Sequence, residues 1–95
     1  MNYTIRIDET NEKYELIQNY KNAFQEEIFL SKYTPYFASY DYIVGDIAYG
    51  KLRLKGFYHS KNKRVKPLNN YDKVKEYLKE NCAVECPYFI LRKIS

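Results

Sequence analysis

Tryptophan is absent from this 95-residue chain, and there are only one histidine, two cysteines, three glycines and three prolines. These shortages exclude several chemistries at the outset. A closed zinc site takes four N or S ligands, and outside the carboxylates only Cys82, Cys86 and His59 are candidates, which disfavours a zinc site within one copy and leaves a site shared across a dimer open. Gly45, Gly50 and Gly56 are spaced too widely for G-x-G-x-x-G or a P-loop, which leaves no phosphate cradle and implies no cofactor. Their expected use is turn or bulge geometry. No spacing sets a cysteine beside His59 with a third orienting group, so no catalytic residue is assigned and the chain reads as a non-enzyme. Apolar runs such as Ile28-Phe29-Leu30 and Tyr88 to Leu91 fall far short of the ~20 residues of a bilayer span. Asn2-Tyr3-Thr4 after Met1 is not a secretory leader, so the expectation is a cytoplasmic protein with reduced thiols.

What the chain has in quantity is tyrosine, with 12, and charge that is unevenly placed. Tyrosine buries a large ring while its hydroxyl seeks a partner, so a small core rich in it has a polar rim. Residues 1–46 hold four cations against eight acids, and residues 47–95 hold twelve against four, so a net +4 conceals halves of −4 and +8. Between Asp46 and Asp72 there are seven Lys or Arg and no acid, the footprint of a surface that faces a polyanion.

Periodicity supplies the elements. Tyr3, Ile5 and Ile7 alternate with Thr4, Arg6 and Asp8 as a half-buried strand does, and Lys13 to Tyr20 closes a hairpin with it. Asn22 is placed to cap a helix with Glu26 and Glu27 in its first turn, ended near Tyr33 by Pro35. Tyr42-Ile43-Val44 and Lys51 to Tyr58 are strands joined by a turn-like Gly45 to Gly50. His59 to Asn69 reads as an exposed loop, and Asn70 caps a second helix with Tyr71, Val74, Tyr77, Leu78 and Cys82 on one face. Tyr88 to Ile94 is a last strand apolar enough to pack on both faces. The expected architecture is one α+β domain over 1–95, an N-terminal hairpin followed by β-α-β-β-α-β. That is the split βαβ order of a ferredoxin-like sandwich, with two helices on one face of an antiparallel sheet.

The strand Lys51 to Tyr58 carries the candidate chemistry. With Leu52 and Leu54 turned to the core, Lys51, Arg53, Lys55 and Phe57 share the other face, mixing cations for phosphates with a ring for a base. Lys55-Gly56-Phe57 also echoes the opening of the RNA-recognition-motif signature, although Tyr58-His59-Ser60 does not continue it. Lys61, Lys63, Arg64 and Lys66 add non-specific attraction. Asp46, after a strand end, reads as a turn residue bonding its own backbone.

Tyr40 to Asp46, Tyr49-Gly50, Leu52 to Phe57, Cys82-x-x-x-Cys86 and Tyr88 to Lys93 together resemble the YutD-like family of small cytosolic proteins from Gram-positive bacteria and relatives. The resemblance covers a core of 13–93 and leaves 1–12 as an N-terminal addition. It departs at Ile47-Ala48, where a Trp-Gly pair is expected. It implies a compact α+β domain, no activity and no cofactor. It also marks Asp46, Tyr49, Gly50, Gly56, Cys82 and Cys86, with Arg53, Lys55 and Phe57, as positions to test. The functional expectation is binding of RNA or a ribonucleoprotein such as the ribosome through Arg53, Lys55, Phe57, Lys61, Lys63, Arg64 and Lys66. The alternative is an adaptor that docks another protein.

Overall fold

A computed structural model of the chain describes residues 3–94 other than 82–84. Strand β1 (Tyr3–Ile7) buries Ile5 and Ile7 and pairs antiparallel with β2 (Glu12–Tyr20), so the N-terminal residues are an integral strand of the sheet. Asn11 turns the chain between them at φ 61°, a left-handed conformation that asparagine tolerates, and Arg6 donates to its side chain.

Lys21 and Asn22 follow β2 with φ of 57° and 55°, and left-handed backbone at Asn22 is incompatible with the extended N-cap expected there. Helix α1 (Glu26–Lys32) therefore starts later, after an extended Gln25, and seats Phe29 in the core. It ends at an extended Tyr33 before Thr34-Pro35, as proline requires, and Pro35–Ser39 forms a 3-10 turn.

β3 (Tyr42–Ala48) and β4 (Lys51–Phe57) form a hairpin paired from Tyr42↔Phe57 to Ala48↔Lys51. Gly45 and Asp46 are thus strand residues, and the turn shrinks to Tyr49 (φ 54°) and Gly50 (φ 75°), the two positive angles of a type I′ connection. Gly45 and Gly56 serve packing instead of turn geometry. A Cβ on Gly45 would lie 2.2 Å from the Phe89 ring, and one on Gly56 2.3 Å from that of Tyr40. After a loop, Asn70 accepts a 2.9 Å bond from the Asp72 N–H and opens a short 3-10 turn into α2 (Val74–Asn81). β5 (Tyr88–Lys93) is the last strand.

The five strands form one antiparallel sheet ordered β1-β2-β5-β3-β4. This corrects the ferredoxin-like expectation. That order seats the first and third strands of β-α-β-β-α-β at the centre, whereas here the second and fourth, β3 and β5, lie inside and β4 forms an edge. The helices also lie on opposite faces, not on one. Phe29 and Tyr33 pack with Ile5, Ile7, Tyr14, Ile43, Phe89 and Leu91, while Val74, Tyr77 and Leu78 pack with Val44, Phe57 and Ile90. The reason is in β5: Phe89 and Leu91 point one way and Ile90 the other, so both faces of the central strand need a cover. Among the described residues no helix is long and apolar enough to cross a membrane.

Candidate functional site

Alternation along β4 sends Leu52 and Leu54 toward the α1 side and Arg53, Lys55 and Phe57 together toward the other, as the sequence pattern requires. That second face is roofed by α2. Phe57 is 1% exposed, with the Tyr77 ring edge-on at 5.4 Å, so it cannot serve as the stacking platform expected of it. The Lys55 ammonium sits 5.3 Å and 5.7 Å from the ring centres of Phe57 and Tyr77, a cation–π position at the rim of a groove.

Arg53 is engaged inward. Its Nε donates to Asp46 Oδ1 at 2.8 Å and its Nη2 to Oδ2 at 3.2 Å, while Nη2 also reaches the carbonyl of Asn81 at the end of α2. Asp46, expected as a turn residue, is 1% exposed on β3 directly opposite Arg53 in the ladder. The carboxylate raises the Arg53 pKa further, chiefly through the hydrogen bond, so the guanidinium is a fixed cation that clamps strand to helix. Burial, with the Asp46 charge added, pushes the Tyr77 hydroxyl up from its ordinary value.

Beside Lys55 a groove of about 460 Å³ opens between β4 and α2, with Phe57, Tyr77, Pro67 and Leu68 as apolar lining and Lys73, Glu76 and Glu80 at its walls. Leu68 is 84% exposed there. On the opposite face a smaller groove of about 240 Å³ runs between Leu52, Ile47, Ala23 and Ile28. The edge of β4 lies between the two.

The hydrogen-bond register of that edge follows from its end. Beyond β4, the Tyr58 N–H donates to the Asn69 carbonyl and the Tyr58 carbonyl accepts from Tyr71 N–H, so Tyr58 faces away from β3, whereas the Phe57 carbonyl accepts from Asp41 on the β3 side. By alternation Leu54 and Leu52 also direct N–H and C=O outward, and among the described residues neither forms an outward backbone bond. Sequence reasoning missed this edge because strand order is invisible in a local pattern. The signal it did carry was a strand with apolar Leu52 and Leu54 between Lys51, Arg53 and Lys55.

The remaining expected residues are dispersed. Lys61, Lys63, Arg64 and Lys66 are exposed on the loop beyond β4, with no ion pair among the described residues. The loop is tied down by Asp41, whose Oδ2 accepts from the His59 N–H at 2.8 Å and from Asn62 Nδ2 at 3.0 Å. Tyr49 projects wholly into solvent from the hairpin tip beside Gly50, and Gly56 lies under Tyr40. Cys86 is half-buried and disulfide-bonded where a reduced thiol was expected, and Cys82 lies outside the described residues.

Comparison with known proteins agrees with the architecture. The model of the YutD-like family, described as "Putative antitoxin YutD-like", matches residues 8–92. The chain is similar to the "Putative antitoxin YutD" of Bacillus subtilis (strain 168), with 42% identity over 84 residues, 88% of this chain and 92% of that protein. It also resembles the solution NMR structure of protein yutD from B. subtilis, at a TM-score of 0.80 and 40% identity, over 97% of this chain and 82% of that one.

Proposed function

This chain belongs to the YutD-like family, and we propose that it is a non-enzymatic module that docks a protein partner along the outer edge of β4. The observation that carries the proposal is the pair of outward-facing backbone groups at Leu52 and Leu54, left unbonded among the described residues between two grooves. An edge strand of this kind is a template on which an extended segment adds as a further strand, gaining main-chain hydrogen bonds for affinity and alternate side-chain pockets for specificity. Tyr49, fully exposed at the tip of the same hairpin, adds an aromatic anchor of the type enriched at interface hot spots. The name of the B. subtilis relative, "Putative antitoxin YutD", points in the same direction, toward a toxin as the class of partner.

The test uses Leu54→Pro, which removes the outward N–H without touching the bonds to β3, a position where an edge strand accepts proline. Peptides selected from a random library on the wild-type protein should protect the Leu52 and Leu54 amides from hydrogen exchange and lose affinity for the folded variant. Selected peptides that bind the variant equally well, or that protect other amides, would refute the reading.

A second reading, single-stranded RNA binding, rests on the four exposed cations Lys61, Lys63, Arg64 and Lys66, which make no ion pair among the described residues. Salt separates the two readings. Four phosphate contacts to a single strand give a log–log salt slope of about −3, whereas strand addition held chiefly by main-chain hydrogen bonds has a shallower slope.

A further inference from the structure

The β4 edge carries a pattern that specifies what would pair with it. Its residues facing the α2 side are Lys51, Arg53 and Lys55, and those facing the α1 side are Leu52 and Leu54. Arg53 already holds Asp46, while Lys51 and Lys55 make no ion pair among the described residues. A strand added through the outward groups of Leu52 and Leu54 sets its own side chains directly opposite these, about 5 Å away, with alternate residues on alternate faces.

We infer that the partner segment is an extended peptide in which acidic residues alternate with apolar ones. Its acids lie beside Lys51 and Lys55, and its apolar side chains enter the groove formed by Leu52, Ile47 and Ile28. This inference deepens the docking proposal above and rests on it. Glu76 and Glu80 stand across the wider groove on α2, so the acids of the partner face the β4 cations and not that wall.

The same charges exclude a second copy of this chain as the occupant. Two β4 edges paired antiparallel through Leu52 and Leu54 keep their faces, so Lys51, Arg53 and Lys55 of one copy meet the same three residues of the other. Like charges opposite one another are destabilising. The lysines thus guard the edge against self-pairing, a familiar protection of exposed strands, while leaving it open to an acidic segment. Length sets a further limit. The bridge between Tyr58 and Asn70 and the 3-10 turn Pro67–Asn69 occupy the far end of the edge, so the open stretch runs from the hairpin turn to about Lys55.

The experiment titrates the full chain with three ten-residue peptides and follows the Leu52 and Leu54 amides by NMR and hydrogen exchange. One peptide alternates glutamate with valine, one alternates lysine with valine, and the third is the glutamate peptide N-methylated at every second backbone nitrogen. The glutamate peptide should protect both amides and bind at least about tenfold more tightly than the lysine peptide, as two or three cross-strand charge pairs provide. N-methylation on the edge-facing side should abolish the protection. A Lys51→Glu, Lys55→Glu double variant, checked for folding, should reverse the preference. Protection of the two amides by the lysine peptide at equal or higher affinity would overturn the acidic partner while leaving strand docking intact. If no peptide reaches Leu52 and Leu54, both the inference and the docking proposal fall. A single-stranded RNA oligomer run in parallel should shift the 59–66 loop alone, and edge amides that answer to RNA in place of the glutamate peptide would also overturn the inference.

Discussion

Replacing Gly45 with alanine probes the close approach of the Phe89 ring to the β3 backbone. An added Cβ would meet three atoms of the Phe89 ring, at 2.2, 2.5 and 2.9 Å, and Phe89 is fully buried between Phe24 and Phe29 with no room to swing away. The methyl and the ring demand the same space, which places the substitution toward the upper end of the roughly 1–3 kcal/mol cost of overpacking a core. Alanine recovers about 0.5–1 kcal/mol because glycine loses more chain entropy in a strand, so the net loss is about 2 kcal/mol. For a domain of this size that corresponds to a fall in Tm of roughly 8–16 °C. The assay is thermal and urea unfolding of wild type, Gly45→Ala, Phe89→Leu and the double variant. Because the cause is one shared volume, Phe89→Leu should relieve the clash, leaving the double variant at least about 1 kcal/mol more stable than the sum of the singles. A Gly45→Ala protein within about 0.5 kcal/mol of wild type, or strict additivity in the cycle, would refute the packing argument.

Three further outcomes follow from the same structure. Tyr49→Asn creates Asn-Gly, the preferred type I′ pair, at a position with φ 54°, and should stabilise the fold by about 1 kcal/mol while weakening partner binding; a lower Tm in the unfolding curve would contradict this. Arg53→Met leaves the Asp46 carboxylate buried without its cation and should cost about 2–3 kcal/mol, below the figure for a wholly buried pair because the Arg53 side chain is 41% exposed. Adding Asp46→Asn to that variant should recover part of the loss in denaturant unfolding. The Tyr40 hydroxyl, hydrogen-bonded to Tyr36, is pushed up to about 12, so the folded state holds its proton after the unfolded chain has lost it. Stability from this group is then complete below pH 10 and falls as pH rises from 10 to 12, a window that shrinks in Tyr36→Phe and is followed by unfolding at stepped alkaline pH.

The parts of this fold that local pattern could reveal were those set within a few residues. Alternation through Leu52, Arg53, Leu54 and Lys55 assigns the two faces of β4, Thr34-Pro35 stops α1, and Asn70 caps the chain entering α2. The two-sided apolar character of Tyr88 to Leu91 already implied a cover on each face, and the single-sided helix layer was inconsistent with it. The order of strands could not be read, because pairing of β5 with β2 and β3 joins residues 42 to 79 positions apart and leaves no periodic trace. The candidate site suffered most from this. Phe57 and Arg53 look free in sequence and are held by α2 and Asp46, while the free groups are backbone atoms that every sequence contains.

β5 is the last strand of the chain and the middle strand of the sheet. Until it is in place the two hairpins, β1–β2 and β3–β4, have no ladder between them, and each alone is at best marginally stable in water. During synthesis the nascent chain therefore carries two unfinished halves until residues 88–93 have left the ribosome. Folding is then a late closure of the whole sheet around one incoming segment, and not a progressive addition from the N-terminus.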